Sequence, residues 1–204
     1  MVVLTDTIFE KLNKDLLFEY DQNIVSHTLA ISEYREDVIK WKYFQYITLL
    51  FVEIYLDKYF ANKHSLLKEL NEFVDAFNNP LDITIPNEFD YESGYFTLNE
   101  LSKIAIWSAT GSGKTLLLHV NIKQYLHYTK KHGKKDFNKV LLVTPNEGLS
   151  NQHLKEFKDS NIKAEIFSKS SGDMFSGEVV EVIEISKLSE DGSNDGKSVA
   201  VDAF

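Results

Sequence analysis

The clearest chemistry in the chain lies near its middle, where Ala109 and Thr110 run into Gly111, Ser112, Gly113, Lys114 and Thr115. Two glycines one residue apart let the backbone turn its N–H groups inward and approach phosphate oxygens closely. A lysine directly after them brings a positive charge to β- and γ-phosphates, and the next hydroxyl can sit on Mg²⁺. A helix opening at Lys114 adds the positive end of its dipole. These residue types suit the holding of a nucleoside triphosphate. The full G-x-x-x-x-G-K-[ST] pattern asks for glycine at position 108, where this chain has Ser108. A glycine-rich turn with an incidental lysine is the plainer alternative. The flanking pattern argues against it, because an apolar run precedes the loop and an amphipathic one follows.

Those flanks define the elements that must position the loop. Lys103–Trp107 is predicted as a strand, Ser108–Lys114 as the loop, Thr115 to about Tyr128 as a helix and Val140–Val143 as the next strand. Ile162–Phe167 and Val179–Ile185 are candidate further strands. Strands alternating with helices of this length imply a parallel sheet, because a parallel connection needs a crossover. Upstream, Glu36–Phe60 is predicted as one long, largely buried helix. A second helix covers His64–Phe77, with Leu66, Leu67, Leu70, Phe73, Val74 and Phe77 on one face and Ser65 available as N-cap. Asn78, Asn79 and Pro80 end it. Leu81–Ile85 alternates like a short strand, and the acidic turn formers from Pro86 to Gly94 mark a surface segment and a domain boundary. Thr97-Leu98-Asn99-Glu100 fits a capping box and predicts one helical turn. Ser189–Lys197 reads as an exposed loop. The expected architecture is α/β, with a parallel-sheet P-loop domain at residues 95–204 preceded by a mainly helical region at 1–94.

Composition sets the limits. The chain has 204 residues, 43% hydrophobic and 26% charged, which are globular values. It contains no cysteine, which removes disulfides, thiolate catalysis and cysteine-ligated metals. The longest strongly apolar uncharged run, Tyr43–Val52, is far short of the ~20 residues a membrane span needs. Met1–Glu10 carries Asp6 and Glu10 rather than a basic start. A soluble protein without a membrane partner is expected, with the cytoplasm as default location. The net charge of −9 argues against holding polyanions by net charge. Residues 1–100 carry 8 Lys+Arg against 18 Asp+Glu, whereas residues 101–204 carry 14 against 13, so the acidity belongs to the front half.

The strand at Val140–Val143 runs into Thr144-Pro145-Asn146-Glu147-Gly148-Leu149-Ser150-Asn151-Gln152. Together with Ala109–Thr115, this Thr-Pro-x-x-x-Leu-x-x-Gln segment resembles motifs I and Ia of superfamily 2 helicases and translocases, particularly the motor subunits of type III and related restriction enzymes. That superfamily commonly lacks the glycine at the position of Ser108. The resemblance spans about residues 101–188 and implies a RecA-like domain that uses ATP and Mg²⁺. It implies triphosphate contacts from Thr110, Gly111, Ser112, Gly113, Lys114 and Thr115, with Lys114 and Thr115 serving the chemistry and Thr115 facing the metal. It also implies that Thr144, Pro145, Asn146 and Gln152 touch the sugar–phosphate backbone of DNA. Physically, a strand end, a fixed turn and a helix start expose N–H groups there, without reading bases. A bland βα turn is the alternative. Tyr43-Phe44-Gln45 resembles the family's upstream glutamine motif, making Gln45 an adenine contact, since its amide both donates and accepts. The 65 residues between Gln45 and Gly111 require an insertion comprising the Leu66–Phe77 helix and the acidic loop. A glutamine on a helix flank with no ligand remains the other reading. Ile185–Leu188 resembles a further strand-contacting motif. Lys130, Lys131, Lys134 and Lys135 around Gly133 fit ordinary helix termination.

The family's D-E-x-H/D motif, which holds Mg²⁺ and orients the attacking water, is absent. Val199–Asp202 comes nearest, but Ala203 occupies the glutamate position. The resemblance therefore implies an amino-terminal fragment truncated before the acidic Walker B motif. The second RecA-like domain, with its arginine finger, would be its missing partner, and methylase or specificity subunits possible further ones. The expected function is the ATP-binding portion of an ATP-dependent DNA helicase or translocase of a restriction or defence enzyme, inactive in hydrolysis by itself. A P-loop small-molecule kinase and a helical protein-interaction module attached to a motor are the competing classes.

Overall fold

The computed structural model describes residues 13–78, 94–134, 140–167, 179–189 and 199–200. The strand expected at Leu81–Ile85, the acidic segment up to Glu92, Lys135, residues 190–197 of the expected loop and the candidate Asp202 lie outside the described residues, while Ser189, expected in that loop, is in a strand.

The first helix, α1 (Lys14–Ser32), was not anticipated from the sequence. Asn13 starts it by accepting the Asp15 N–H at 3.1 Å. Tyr20, Ile24, Thr28 and Ile31 recur at helical spacing and are buried. The second helix, α2, spans Tyr43–Ala61, so it begins seven residues later than expected. The reason lies in the turn and cap that precede it. The Arg35 N–H returns to the Ser32 carbonyl, the Ile39 N–H bonds to the Ser32 hydroxyl, and Trp41 Nε1 donates to Thr28 Oγ1 at 2.7 Å. These contacts fold residues 33–42 back on α1, and the acidic Glu36 and Asp37 offer no apolar face to bury. Helix α3 is Lys63–Asn78. Its cap is Asn62 rather than Ser65, because Asn62 Oδ1 accepts from both the His64 and Ser65 N–H groups. Of its apolar face Leu66 and Val74 are buried, while Phe77 is 68% exposed.

Helix α4 (Lys114–Lys131) follows the loop and packs against α1 and α2 through Leu117, Val120 and Tyr128. A polar seam runs inside this three-helix contact. Glu53 is 0% exposed; Tyr128 donates its hydroxyl to Glu53 Oε2 at 2.5 Å and Asn23 Nδ2 donates to it at 3.3 Å. Gln124 Nε2 donates to the Leu49 carbonyl at 3.0 Å. Burial raises the Glu53 carboxyl above the usual carboxylate range, against the opposing pull of these hydrogen bonds. A carboxyl raised in the fold weakens the fold as pH climbs past its unfolded value, since the folded form is the reluctant one to ionise. Glu53→Gln is therefore expected to melt several degrees above the wild type at pH 8, with the gap closing towards pH 4.5. Melting curves at both pH values check this, and a lower melting temperature at pH 8 would contradict it.

The sheet consists of β1 (Val140–Thr144), β2 (Ala164–Ile166) and β3 (Val180–Glu184) in the order β1-β3-β2, all parallel. Helix α5 (Glu147–Asp159) crosses over from β1 and packs on the sheet. A short parallel pair, β4 (Leu188–Ser189) with β5 (Val199–Ala200), lies beyond. The parallel arrangement agrees with the sequence expectation. The central strand β3 is buried along Val180, Glu181, Val182 and Ile183, and Phe157 of α5 is fully covered. The core unites residues of α1, α2, α4, α5 and β3, so it crosses the expected division near residue 94.

The segment Lys103–Trp107 departs from expectation: it forms no strand. Among the described residues it has no ladder partner, and Ile104, Ile106 and Trp107 are exposed, Trp107 completely. Alternating apolar residues become a strand only when a neighbouring edge is there to pair with. The lead-in is held instead by helices. Asn71 exchanges two hydrogen bonds with the Phe96 backbone, and Tyr55 donates to the Leu101 carbonyl at 2.7 Å. The one helical turn expected here is the 3-10 helix Glu100–Ser102, but the capping box is only half made: Glu100 Oε2 accepts from both the N–H and the hydroxyl of Thr97, while the Glu100 N–H goes to the Thr97 carbonyl and Asn99 is the N-cap.

Candidate nucleotide-binding site

The loop from Ser108 to Gly113 is closed by short local bonds. The Ser112 N–H returns to the Ala109 carbonyl at 3.2 Å, and Ser112 Oγ donates to Ser108 Oγ at 2.9 Å. The serine that departs from the motif at position 108 thus ties the loop across its base, a role its glycine counterpart lacks. Gly111 and Gly113 have φ of +74° and +83°, the left-handed region that side-chain-bearing residues avoid. Consecutive N–H groups in such a turn form a concave anion site. Lys114 opens α4, and its ammonium lies inside the curve, donating to the carbonyls of Ser108 at 3.1 Å and Ala109 at 2.9 Å. Thr115 follows on the first turn of the helix. Lys114 and Thr115 also border a cavity of about 350 Å³ that reaches Ile106, Leu118 and His153.

Gln45, distant in sequence, meets this loop. Its Nε2 donates to the Ser112 carbonyl at 2.7 Å, while its Oε1 accepts the Lys42 N–H at 2.8 Å. A Cβ built on Gly113 would lie 2.6 Å from Gln45 Nε2. A side chain at this position is strained by the left-handed φ and would oblige the Gln45 amide to shift. Gly113→Ala is expected to cost roughly 1–2 kcal/mol in stability from the backbone alone and to cut ATP affinity at least about tenfold. Thermal melting and calorimetric titration read the two effects separately, and wild-type affinity in the variant would refute the geometric argument.

The expected DNA-contacting residues are split by the fold. Thr144 is 2% exposed, and its hydroxyl pairs with Ser150 Oγ at 2.6 Å. Asn146 caps α5 by accepting the Leu149 N–H at 2.9 Å. Pro145, Asn146 and Gln152 lie on the surface around that helix start. Ile185–Lys187 forms a 3-10 turn after β3. At the far end of α4, Lys131 is bound to Glu19 at 3.0 Å and Asp57 at 3.1 Å, and Gly133 at φ +65° lets the Lys134 N–H return to the Thr129 carbonyl. Helix termination accounts for this stretch, as the sequence suggested. What sequence reasoning missed at the site is Ser108 as a tie and Lys42 as the anchor of Gln45. The second was legible, since a glutamine three residues after a helix N-cap commonly reaches back to it.

A glycine-bearing loop leading into a helix, joined to a parallel three-stranded sheet, defines an incomplete RecA-like α/β domain behind a mainly helical front region. The family model for the type III restriction enzyme res subunit matches residues 60–203. The chain belongs to that family, the helicase-like motors of restriction enzymes. Helix α1 and nearly all of α2, including Gln45, lie ahead of the matched span. No curated protein and no solved structure matches the chain. Among the described residues no helix is long and apolar enough to cross a membrane.

Proposed function

We propose that this chain is the ATP-binding lobe of an ATP-dependent DNA translocase or helicase of a restriction or defence enzyme. The observation that carries the reading is the loop itself: two left-handed glycines and a lysine ammonium inside one curve at a helix N-terminus. These residues fit a triphosphate. Thr110, Gly111 and Gly113 would supply main-chain N–H groups, with the Ser112 N–H joining them only on release from the Ala109 carbonyl; Lys114 would neutralise the β/γ-phosphate charge, and Thr115 would offer its hydroxyl to Mg²⁺. Mg²⁺, when bound, would supply charge neutralisation to the phosphates. The chain's own part is positioning and electrostatic stabilisation, which dominate phosphoryl transfer. An adenine contact by Gln45 would require its amide to release Ser112 or Lys42. Pro145, Asn146 and Gln152, with the open N–H groups of α5, form the surface for a nucleic-acid backbone. The buried Thr144 hydroxyl serves that surface by fixing the turn through Ser150. A second RecA-like domain would supply the arginine finger, and the family's restriction context makes methylase or specificity subunits the candidate partners.

The test is ATP hydrolysis by this lobe joined to an acidic Walker B segment and a second RecA-like domain, with and without double-stranded DNA. At least tenfold stimulation by DNA is expected. Stimulation by a small hydroxyl acceptor and none by DNA would replace the motor with a P-loop kinase.

A further inference from the structure

We propose that Gln45 is a positioning residue for the phosphate loop: by drawing the Ser112 carbonyl outward, it aims the Gly113 N–H into the cradle. The inference rests on the nucleotide-binding reading of the loop.

The geometry is one of forced orientation. A peptide unit is planar and trans, so the carbonyl of Ser112 and the N–H of Gly113 point to opposite sides of their shared plane. Gln45 Nε2 holds that carbonyl at 2.7 Å from the side of α2. The N–H of Gly113 is thereby turned away from α2, and among the described residues it has no backbone acceptor. The amide of Gln45 cannot be reversed in this setting. Its oxygen must accept the Lys42 N–H, and its nitrogen must donate to Ser112, so the two bonds together allow a single orientation. Gln45 is 9% exposed, and the missing Cβ of Gly113 is what lets its amide approach so closely. A loop peptide without such a restraint is free to rotate between carbonyl-in and N–H-in arrangements, and a carbonyl facing a phosphate repels it. Gln45 therefore acts on the phosphate tail, whatever base is attached. It also lets the helical front region, which precedes the family match, bear on the nucleotide loop.

A base-reading glutamine and a loop-orienting one predict opposite patterns. The test is calorimetric titration of the 204-residue chain with ATP, GTP and inorganic tripolyphosphate, each with Mg²⁺, repeated on Gln45→Ala and Gln45→Glu. In Gln45→Glu a carboxylate oxygen still accepts the Lys42 N–H, which preserves the start of α2, but no donor remains for Ser112. The expected result is that both variants lose affinity for all three ligands by a similar factor, about tenfold. The ATP-to-GTP ratio should stay unchanged in both variants. A collapse of the ATP-to-GTP ratio with tripolyphosphate binding intact overturns the proposal in favour of base reading, and unchanged affinities in both variants overturn it outright. Failure of the wild-type chain to bind any of the three removes the nucleotide reading and this inference with it, and that result is distinct because it appears without any substitution.

Discussion

Lys114→Ala is expected to abolish the melting shift that ATP and Mg²⁺ give the wild-type chain, with affinity falling at least about 100-fold, near 3 kcal/mol. The ammonium is the single full positive charge inside the loop's curve, 2.9 Å and 3.1 Å from two loop carbonyls. The main-chain amides supply only partial charges. Its removal leaves the phosphate charge facing dipoles alone. In the ligand-free chain the same side chain is exposed, so the unliganded melting temperature should move little, by less than about 1 kcal/mol in stability terms. That contrast separates a ligand effect from a folding effect. Lys130→Ala, at the opposite end of the same helix, should leave the ATP shift intact. A shift that survives Lys114→Ala contradicts the assignment of the loop, because stabilisation by a ligand reports its affinity directly.

Acidification should weaken the fold well before the carboxylates protonate. His27 and His119 are both pushed down from the ordinary histidine value to about 4. Burial is the main cause for each, reinforced by His127 and Lys123 around His27 and by Arg35, His153 and Lys123 around His119. His119 is enclosed between Phe157, on which it stacks at 4.6 Å, and Ser160, whose Oγ lies 2.7 Å from its Nδ1. Arg35 already donates to that Oγ at 2.8 Å, so the serine proton goes to Nδ1 and the ring stays neutral. The sign follows from linkage. Both rings are neutral in the fold and protonate in the unfolded chain below about pH 6.5, so the unfolded state gains protons first and stability falls as pH drops from 6.5 towards 4. Each ring accounts for about 3 kcal/mol at most once pH is below its folded value. Glu53, raised in the fold, works in the opposite sense over part of this range but carries one proton against two. Urea unfolding at pH 7.5 and pH 5 should show a loss of about 2–4 kcal/mol, and His27→Gln should remove about half the slope. Equal stability at the two pH values would show that the rings titrate normally.

Several features were readable from residue types because their causes are local. A left-handed turn needs glycine, a helix start needs a cap, and a triphosphate needs inward N–H groups beside a lysine, all within a few residues. The loop at 108–115, helix α4, the turn at Thr97–Glu100 and the parallel strand run at 140–184 follow from such short-range rules. Helix α1 was legible in the same way, through Asn13 and the spacing of Tyr20, Ile24 and Ile31, although Thr28 on its buried face and Phe18, Val25 and Leu29 on its exposed one blur the pattern.

Tertiary structure decided the rest, because those outcomes depend on which distant surface is within reach. Lys103–Trp107 has the alternation of a strand yet pairs with nothing among the described residues, although β1 is an edge strand paired on one side only, with β3. Thr144 has the right type for a phosphate contact, but the packing of α5 turns its hydroxyl inward to Ser150. Gln45 and Ser112 stand 67 positions apart, and no periodicity states that a helix flank will close on that carbonyl. Sequence by itself determined a glycine- and lysine-bearing loop at the head of a helix on an α/β scaffold; only the packing of α2 beside α4 determined that Gln45 meets that loop, because a hydrogen bond between remote segments exists only once the intervening chain has chosen where to fold.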